Sequence, residues 1–425
     1  MANDEAYQMS SSNIRFGKGI TSEIGLDLRD RKLNMVLVII DPKLVELPVG
    51  LTVIKSLQMA KIKFDVFTEI SIEPTDISFR RAAEVARDGS YDSIVAVGGG
   101  STLDTAKAAN LYSSYSGGFF DYVNAPIGLG LPVPGELKPF FAIPTTAGTG
   151  SETTGVAIFD YLDKKVKTGI AHRFLRPTLG IVDPDNTYTL PAGVAASCGL
   201  DVLSHALESY TARPFYERPK PSRPAERPAY QGANPISDIW SLEALKIVAK
   251  YLVRAVRDPE DYEARSQMML ASSLAGFGFG NAGVHLPHGM SYPVAGMVKQ
   301  FRPKGYASQS PLIPHGISVI LNTPAVIRVT AEANPERHLV VAKALGADIN
   351  DADLSGAGEI LRDRVIYFMR ELGIPNGLEA VGYGVEDIPA LTDGTLPQHR
   401  VTKIAPVSVD RALLSALFEE SLRIW

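Results

Sequence analysis

Between Met35 and Asp183 the chain alternates short apolar runs with stretches of helical periodicity. The runs are MVLVII (35–40), FDVFTEI (64–70), SIVAVGG (93–99), FFAIPT (140–145) and GIVDP (180–184), most of them running into Asp, Gly or Pro. Continuous apolar runs of this length predict strands buried on both faces, and the helix-compatible segments 76–89 and 101–114 between them predict a parallel sheet flanked by helices. After Pro191 the pattern changes to long helix-like segments at 191–212, 236–257, 260–275 and 354–372, with no alternating strand. In 236–257 apolar residues recur three and four apart, with Ser237 as the expected cap and Asp238 and Glu243 in the early turns. The expected organisation is therefore an α/β domain over residues 1–187 and an all-α domain over 188–425, with the boundary at Pro184–Pro191.

Composition narrows the function classes. A chain of 425 residues with 45% hydrophobic content supports two or three domains with sizeable cores and excludes disorder as the dominant state. A formal charge of −5 leaves no global positive field for nucleic acid or anionic lipid. Cys198 is the only cysteine, which excludes an intrachain disulfide and a cysteine-rich zinc module and points to a reducing compartment. The first residues, MANDEAYQMSSSNIRFG, contain no apolar core of signal-peptide length, and their acids argue against a transit peptide. No stretch of about 18 apolar residues predicts a membrane span. The expectation is a cytoplasmic protein, with the mitochondrial matrix as the alternative address, and a homo-oligomer. Residues Arg213–Pro228 hold five prolines and five Lys/Arg, which reads as a solvated extended insertion rather than a binding strip.

Candidate chemistry begins at Gly98-Gly99-Gly100-Ser101, which follows the run SIVAV and opens a helical segment. Side-chain-free backbone beside a new helix N-terminus suits a pyrophosphate, although the same glycines would serve an ordinary strand-to-helix turn with Asp104 as a first-turn dipole complement. Asp41 ends VLVII, where a carboxylate could accept two ribose hydroxyls and repel a 2′-phosphate, or simply close an Asp-Pro turn. Pro144–Glu152 (PTTAGTGSE) adds hydroxyls and backbone donors after another run. A literal GxGxxG at Gly278, Gly280 and Gly283 follows a helical rather than a strand pattern. It is read as a helix-packing or turn feature ahead of His288.

Seven histidines are present, and three have a distinctive frame. Asp201 and His205, four apart, share one helix face, while His288 and His315 each sit in a Pro-His-Gly frame in apolar surroundings. One Asp and three His make a donor set for Fe²⁺ or Zn²⁺; spacing alone equally allows a helix-surface pair and two core histidines. His172, His285, His338 and His399 are read as structural.

These motifs together carry a resemblance. GGGS, AIPTTAGTGSETT, GLDVLSHALESYT and the two Pro-His-Gly segments resemble the iron-containing alcohol dehydrogenase family, over nearly the whole chain. SSNIRFG, TTGVAIFDY, RPAYQGANPISDIW, GFGNAGVHLPHGMSYPVAG, PLIPHGISV, ANPERHLVVAKALGAD and GTLPQHRVTK are most similar to members that pass hydride between hydroxyacids and oxoacids. The resemblance implies an N-terminal Rossmann-like domain followed by a helical domain, a dehydroquinate synthase-like fold, with the active site in the cleft between them. It implies Asp201, His205, His288 and His315 as metal ligands, Asp41 at the ribose, and Gly98, Gly99, Gly100 and Ser101 at the pyrophosphate. Thr145, Thr146 and Lys167 would hold further parts of NAD.

The implied reaction is metal-assisted hydride transfer through bound NAD: 4-hydroxybutyrate and 2-oxoglutarate give succinate semialdehyde and 2-hydroxyglutarate. A plain NAD-dependent 4-hydroxybutyrate or alcohol dehydrogenase is the alternative, and a dehydroquinate synthase-like lyase is a weaker one. Many members carry a second histidine four residues after the third ligand. Tyr292 stands there, and a phenol of ordinary pKa near 10 is a poorer base than an imidazole near 6.5. The 27 residues from His288 to His315 bring Lys299, Arg302 and Lys304, which are candidates to grip a carboxylate or are simply solvated.

Overall fold

All five apolar runs contribute strands to one parallel sheet. A computed structural model describes residues 2–164, 166–306 and 310–425. It resolves two units, Ser10–Leu190 on one hand and Met1–Met9 with Pro191–Trp425 on the other. The strands of the first unit are β1 (Asn13–Phe16), β2 (Met35–Ile40), β3 (Lys63–Phe67), β4 (Ser93–Gly98), β5 (Phe140–Pro144), β6 (Val156–Tyr161), β7 (Val166–Ala171) and β8 (Leu179–Val182). Six of them form a sheet in the order β1-β8-β5-β4-β2-β3, every pair parallel, and β6 and β7 form a separate antiparallel pair.

Alternate residues of the sheet feed two cores. Val36, Val38, Ile40, Val95, Val97, Phe141 and Ile143 pack with Ile24, Leu28, Val53 and Leu57 on one face. Leu37, Ile39, Ile94, Ala96, Phe140 and Ala142 pack with Ala82, Ala86, Leu103 and Ala106 on the other. Helices on both faces explain why these strands read as unbroken apolar runs. The apolar-run pattern did not include β1, β6 or β7. β1 lies at a sheet edge with Asn13 and Phe16 exposed, and the β6–β7 pair carries Asp160 opposite Lys167, so neither is a continuous run.

From β2 the chain passes to β3 on one side and then to β4 on the other. The strand order therefore reverses between β2 and β4, whose ends lie side by side with Ile40 opposite Val97. Open α/β sheets take ligands at the carboxyl ends of the strands at such a reversal.

In the second unit the helices Ala192–Thr211, Pro235–Arg257 and Tyr262–Ala282 pack on one another. Glycine permits the approach: a Cβ at Gly278 would stand 2.5 Å from the Ser241 hydroxyl oxygen. Gly283, with φ +99, then turns the chain towards the helix Leu286–Gly296. The GxGxxG match is thus a packing and turn feature, as expected. The cap of Pro235–Arg257 is not Ser237 but Asn234, three residues earlier, whose side chain accepts from the Ser237 N–H at 3.0 Å, with Pro235 at the first helical position.

The first nine residues group with the helical unit rather than with the sheet, because Asp4, 1% exposed, pairs with Arg218 at 2.5 Å and Arg227 at 2.9 Å. Arg227 foremost, with Arg218, holds the Asp4 carboxyl down at about 2. Two of the five cations in the Arg213–Pro228 segment are therefore tied down rather than solvated.

Candidate functional site

The helix Ala192–Thr211 is buried almost throughout from Ala195 onward. Asp201, His205 and Glu208 fall on one face at offsets of four and three. Two further helices each bring a histidine to that face: His288 from Leu286–Gly296 and His315 from the first turn of His315–Ile320. A Cβ at Gly316 would lie 1.9 Å from the Ser197 carbonyl oxygen, so only glycine lets this short helix come close enough for His315 to reach Asp201.

The Nε2 atoms of His205, His288 and His315 stand 3.6, 3.5 and 3.7 Å from the single oxygen Oδ1 of Asp201. One potential ligand atom from each residue lies within 4.8 Å of the others. Those separations are too long for hydrogen bonds, and Asp201 Oδ1 and His288 Nε2 are buried without a hydrogen-bond partner. Donors about 2.0–2.2 Å from a shared ion stand roughly 3–3.5 Å apart, so the arrangement fits a cation.

The environment prepares the donors. Burial pushes the His205 pKa down to about 3 despite the Asp201 charge, which leaves its imidazole neutral. Burial alone would also depress His288, but Glu208 and Asp201 overcome it and raise the value to about 10. Burial would raise Asp201, and the three histidines reverse that and hold its carboxyl well below the usual range. Glu208 is the residue missing from the sequence reading. Its Oε1 lies 2.6 Å from His288 Nδ1, and its Oε2 accepts from the His285 backbone N–H at 2.6 Å. A carboxylate on Nδ1 turns Nε2 inward, where a bound cation would displace the proton that the raised value places there. The signal was its place on the Asp201–His205 face in DVLSHALES. The His315 side chain is 26% exposed against 3–5% for the other three, so the cluster has one open side.

The nucleotide candidates lie in the sheet unit. Asp41 directly follows β2, and its Oδ1 accepts from the Lys43 N–H at 2.9 Å. Gly98 closes β4, and Gly100 and Ser101 open the helix Gly100–Ser114. Thr145 follows β5 and donates its N–H to the Gly98 carbonyl at 3.1 Å. A Cβ at Gly99 would be 3.2 Å from Thr146, and one at Gly100 would be 2.5 Å from Thr149. The structure thus brings together the glycine turn, Thr145 and Thr146, with Asp41 at the neighbouring strand end.

Lys167 stands on the separate β6–β7 pair, 2.7 Å from Glu73 and 3.0 Å from Asp160, which raise its pKa against the effect of burial. Asp104 lies beyond the first turn of the helix Gly100–Ser114 and is not the expected first-turn complement; it accepts from the Ser151 hydroxyl at 2.7 Å and from the Ile158 N–H at 2.9 Å. Lys107 Nζ reaches Ser151 at 2.5 Å and the Val156 carbonyl at 2.8 Å, pinning the 149–156 loop from beneath.

Other candidates separate. Tyr292 is buried, and its hydroxyl accepts from Arg400 Nη2 at 2.7 Å. Lys299 is paired with Asp387 at 2.6 Å. His285 meets the Thr211 hydroxyl and His338 the Thr330 hydroxyl, as structural histidines would.

Residues 11–184 match the family described as iron-containing alcohol dehydrogenase, and residues 226–422 match the Fe-containing alcohol dehydrogenase family, C-terminal. The chain belongs to the iron-containing alcohol dehydrogenase family. It is 56% identical over 424 residues to the mitochondrial hydroxyacid-oxoacid transhydrogenase of Rattus norvegicus, covering 99% of this chain and 91% of that one. The Homo sapiens protein of that name is 55% identical with the same coverage. Among solved structures, a 1,3-propanediol oxidoreductase superposes with a TM-score of 0.86 at 25% identity, covering 98% of this chain and 100% of that one. Sulfoacetaldehyde reductase from Bifidobacterium kashiwanohense, in complex with NAD+, gives 0.81 at 27% identity, covering 99% and 100%.

Membership of the iron-containing alcohol dehydrogenases makes the protein an oxidoreductase acting on small molecules, and the family implies NAD and a divalent metal. Among the described residues, no helix is long and apolar enough to cross a membrane.

Proposed function

We propose that this protein transfers hydride from a hydroxyacid to an oxoacid through a retained NAD, with 4-hydroxybutyrate and 2-oxoglutarate as the substrates. The observation that carries this conclusion is identity of 55–56% along 424 residues to proteins named hydroxyacid-oxoacid transhydrogenase. Asp201, His205, His288 and His315 would hold the divalent ion, iron with zinc as the competitor. When bound, the ion would polarise the reacting oxygen of the substrate and the nicotinamide would carry the hydride.

The remaining work falls to the chain. Glu208 fixes the His288 ring and keeps its Nε2 directed at the cluster. Gly98, Gly99, Gly100 and Ser101 offer backbone close to a pyrophosphate at a helix N-terminus, and Thr145 and Thr146 flank it. Asp41 would take the ribose hydroxyls. Lys167 would orient the dinucleotide from the β6–β7 pair, with its charge balanced by Glu73 and Asp160. Tyr292, as acceptor from Arg400, keeps its own proton free for another partner. A reducing compartment, cytoplasm or mitochondrial matrix, suits the lone Cys198.

Purified protein is incubated with 4-hydroxybutyrate and 2-oxoglutarate without added nucleotide, and 2-hydroxyglutarate is followed by mass spectrometry. Many turnovers per protein molecule are expected. If product requires added NAD and NADH accumulates with 4-hydroxybutyrate alone, the protein is a plain dehydrogenase.

A further inference from the structure

We propose that Arg400 is the anchor for the substrate carboxylate. This rests on the hydroxyacid–oxoacid reading above and extends it to a residue which that reading leaves without a task. Arg400 lies in the short helix His399–Thr402, in the stretch GTLPQHRVTK. Its Nη2 donates to the Tyr292 hydroxyl at 2.7 Å, and its guanidinium carbon stands 4.7 Å from the centre of the Tyr230 ring. Nη1 is buried and without a hydrogen-bond partner, and the groups that act on the guanidinium are the two phenols Tyr292 and Tyr230, with no carboxylate beside them among the described residues. A guanidinium with a buried N–H left over and no carboxylate beside it is an incomplete arrangement, and an acid completes it.

Its position connects it to the Asp201 cluster along two routes. Tyr292 sits one turn after His288 on the same helix, about 6 Å of rise. Tyr230 meets Phe279 edge-on at 6.5 Å, and Phe279 stacks on His205 at 3.9 Å. The helices hold this spacing closely, since a Cβ at Gly289 would already be 3.2 Å from Val401.

Substrate chemistry explains why one cation serves both half-reactions. In 4-hydroxybutyrate and succinate semialdehyde the reacting carbon is followed by two methylenes and a carboxylate. In 2-oxoglutarate and 2-hydroxyglutarate the distal carboxylate has the same spacing. The shared element of all four molecules is thus an acid three carbon–carbon bonds from the reacting centre, on the order of 4 Å. Arg400 Nη1 and the free Tyr292 proton are two donors for its oxygens. Lys299, the cation nearer to hand in sequence, is occupied by Asp387.

The test compares wild type with Arg400→Gln and Arg400→Lys on 4-hydroxybutyrate and on its uncharged analogue 1,4-butanediol, with metal content and melting temperature recorded. Arg400→Gln should lower kcat/KM for 4-hydroxybutyrate by about 100-fold, mostly through KM, and change it for the diol by less than about 3-fold. Arg400→Lys should recover part of the loss. Equal losses on acid and diol, or no loss on the acid, would overturn the assignment.

Glutarate binding, measured by calorimetry without turnover, separates the two levels of the argument. If wild type binds glutarate and Arg400→Gln does not, the anchor stands even where 4-hydroxybutyrate is not turned over, and the reaction assignment alone fails. Equal glutarate affinity in the two proteins rejects the anchor.

Discussion

The glycine turn of the sheet unit carries almost no charge of its own, whereas the Asp201 cluster gathers two carboxylates and three imidazoles in the interior of a helical unit. The first offers backbone and small side chains at strand ends, where a ligand's own charge remains close to water. The second buries ionisable groups whose protonation is set by burial and by one another: burial holds His205 neutral, and the neighbouring histidines hold Asp201 ionised. A contiguous segment suffices for the turn, because strand, glycines and helix follow one another in the chain. The cluster needs residues 201 to 315 from three helices, so its precision comes from packing.

If that contrast is right, the largest effect comes from the cluster. His288→Ala should lose the metal and reduce turnover by more than about 1,000-fold while the melting curve stays cooperative. Turnover at full metal content would remove His288 from the ligand set. Glu208→Gln keeps the shape and removes the charge on His288 Nδ1; metal affinity, read by chelator competition, should fall about 10–100-fold.

Acid sharpens the comparison of stabilities. His338, fully buried, and His172, half-buried, are both pushed down to about 4, chiefly by burial. Both are neutral in the fold, so their contribution is complete above the unfolded value near 6.5 and is lost as pH falls from there to about 4. The loss at His338 should be between about 1 and 3 kcal/mol and that at His172 smaller, since water reaches it. Denaturant midpoints across pH 7 to 4 should show this fall, and His338→Gln should flatten it; an unchanged slope would show that His338 does not titrate in that window.

On the sheet side the effects are smaller. Gly100→Ala forces Thr149 aside and should weaken NAD binding about 10-fold with metal content untouched. A matching loss of metal would break the separation of the two sites. Asp41→Ser should raise relative acceptance of NADP by only a few fold, because Oδ1 is already engaged with the Lys43 N–H. An unchanged cofactor preference would leave Asp41 as a turn residue.

Much of this was legible beforehand. Runs buried on both faces announce their strands, and the i, i+4 pair Asp201–His205 announces a helix face. What escaped were elements without a run, such as the β6–β7 pair with its Asp160–Lys167 pairing, and partners defined by space alone. Asp4 joins Arg218 and Arg227 across more than two hundred residues, and Arg400 meets Tyr292 across 108. No local pattern encodes such pairs.

Local periodicity and motif spacing therefore determined the five strands that are apolar runs, the principal helices and the glycine turn, since each depends on neighbours a few positions away, while the four cluster residues were candidates on spacing and a ligand set only through the family resemblance. Tertiary structure alone decided that three Nε2 atoms converge on one oxygen of Asp201, that Glu208 orients His288, and that Arg400 is left with a buried donor to spare. Convergence of that kind is set by how closely helices approach at Gly278, Gly289 and Gly316, and close packing between distant segments has no signature in the order of residues along the chain.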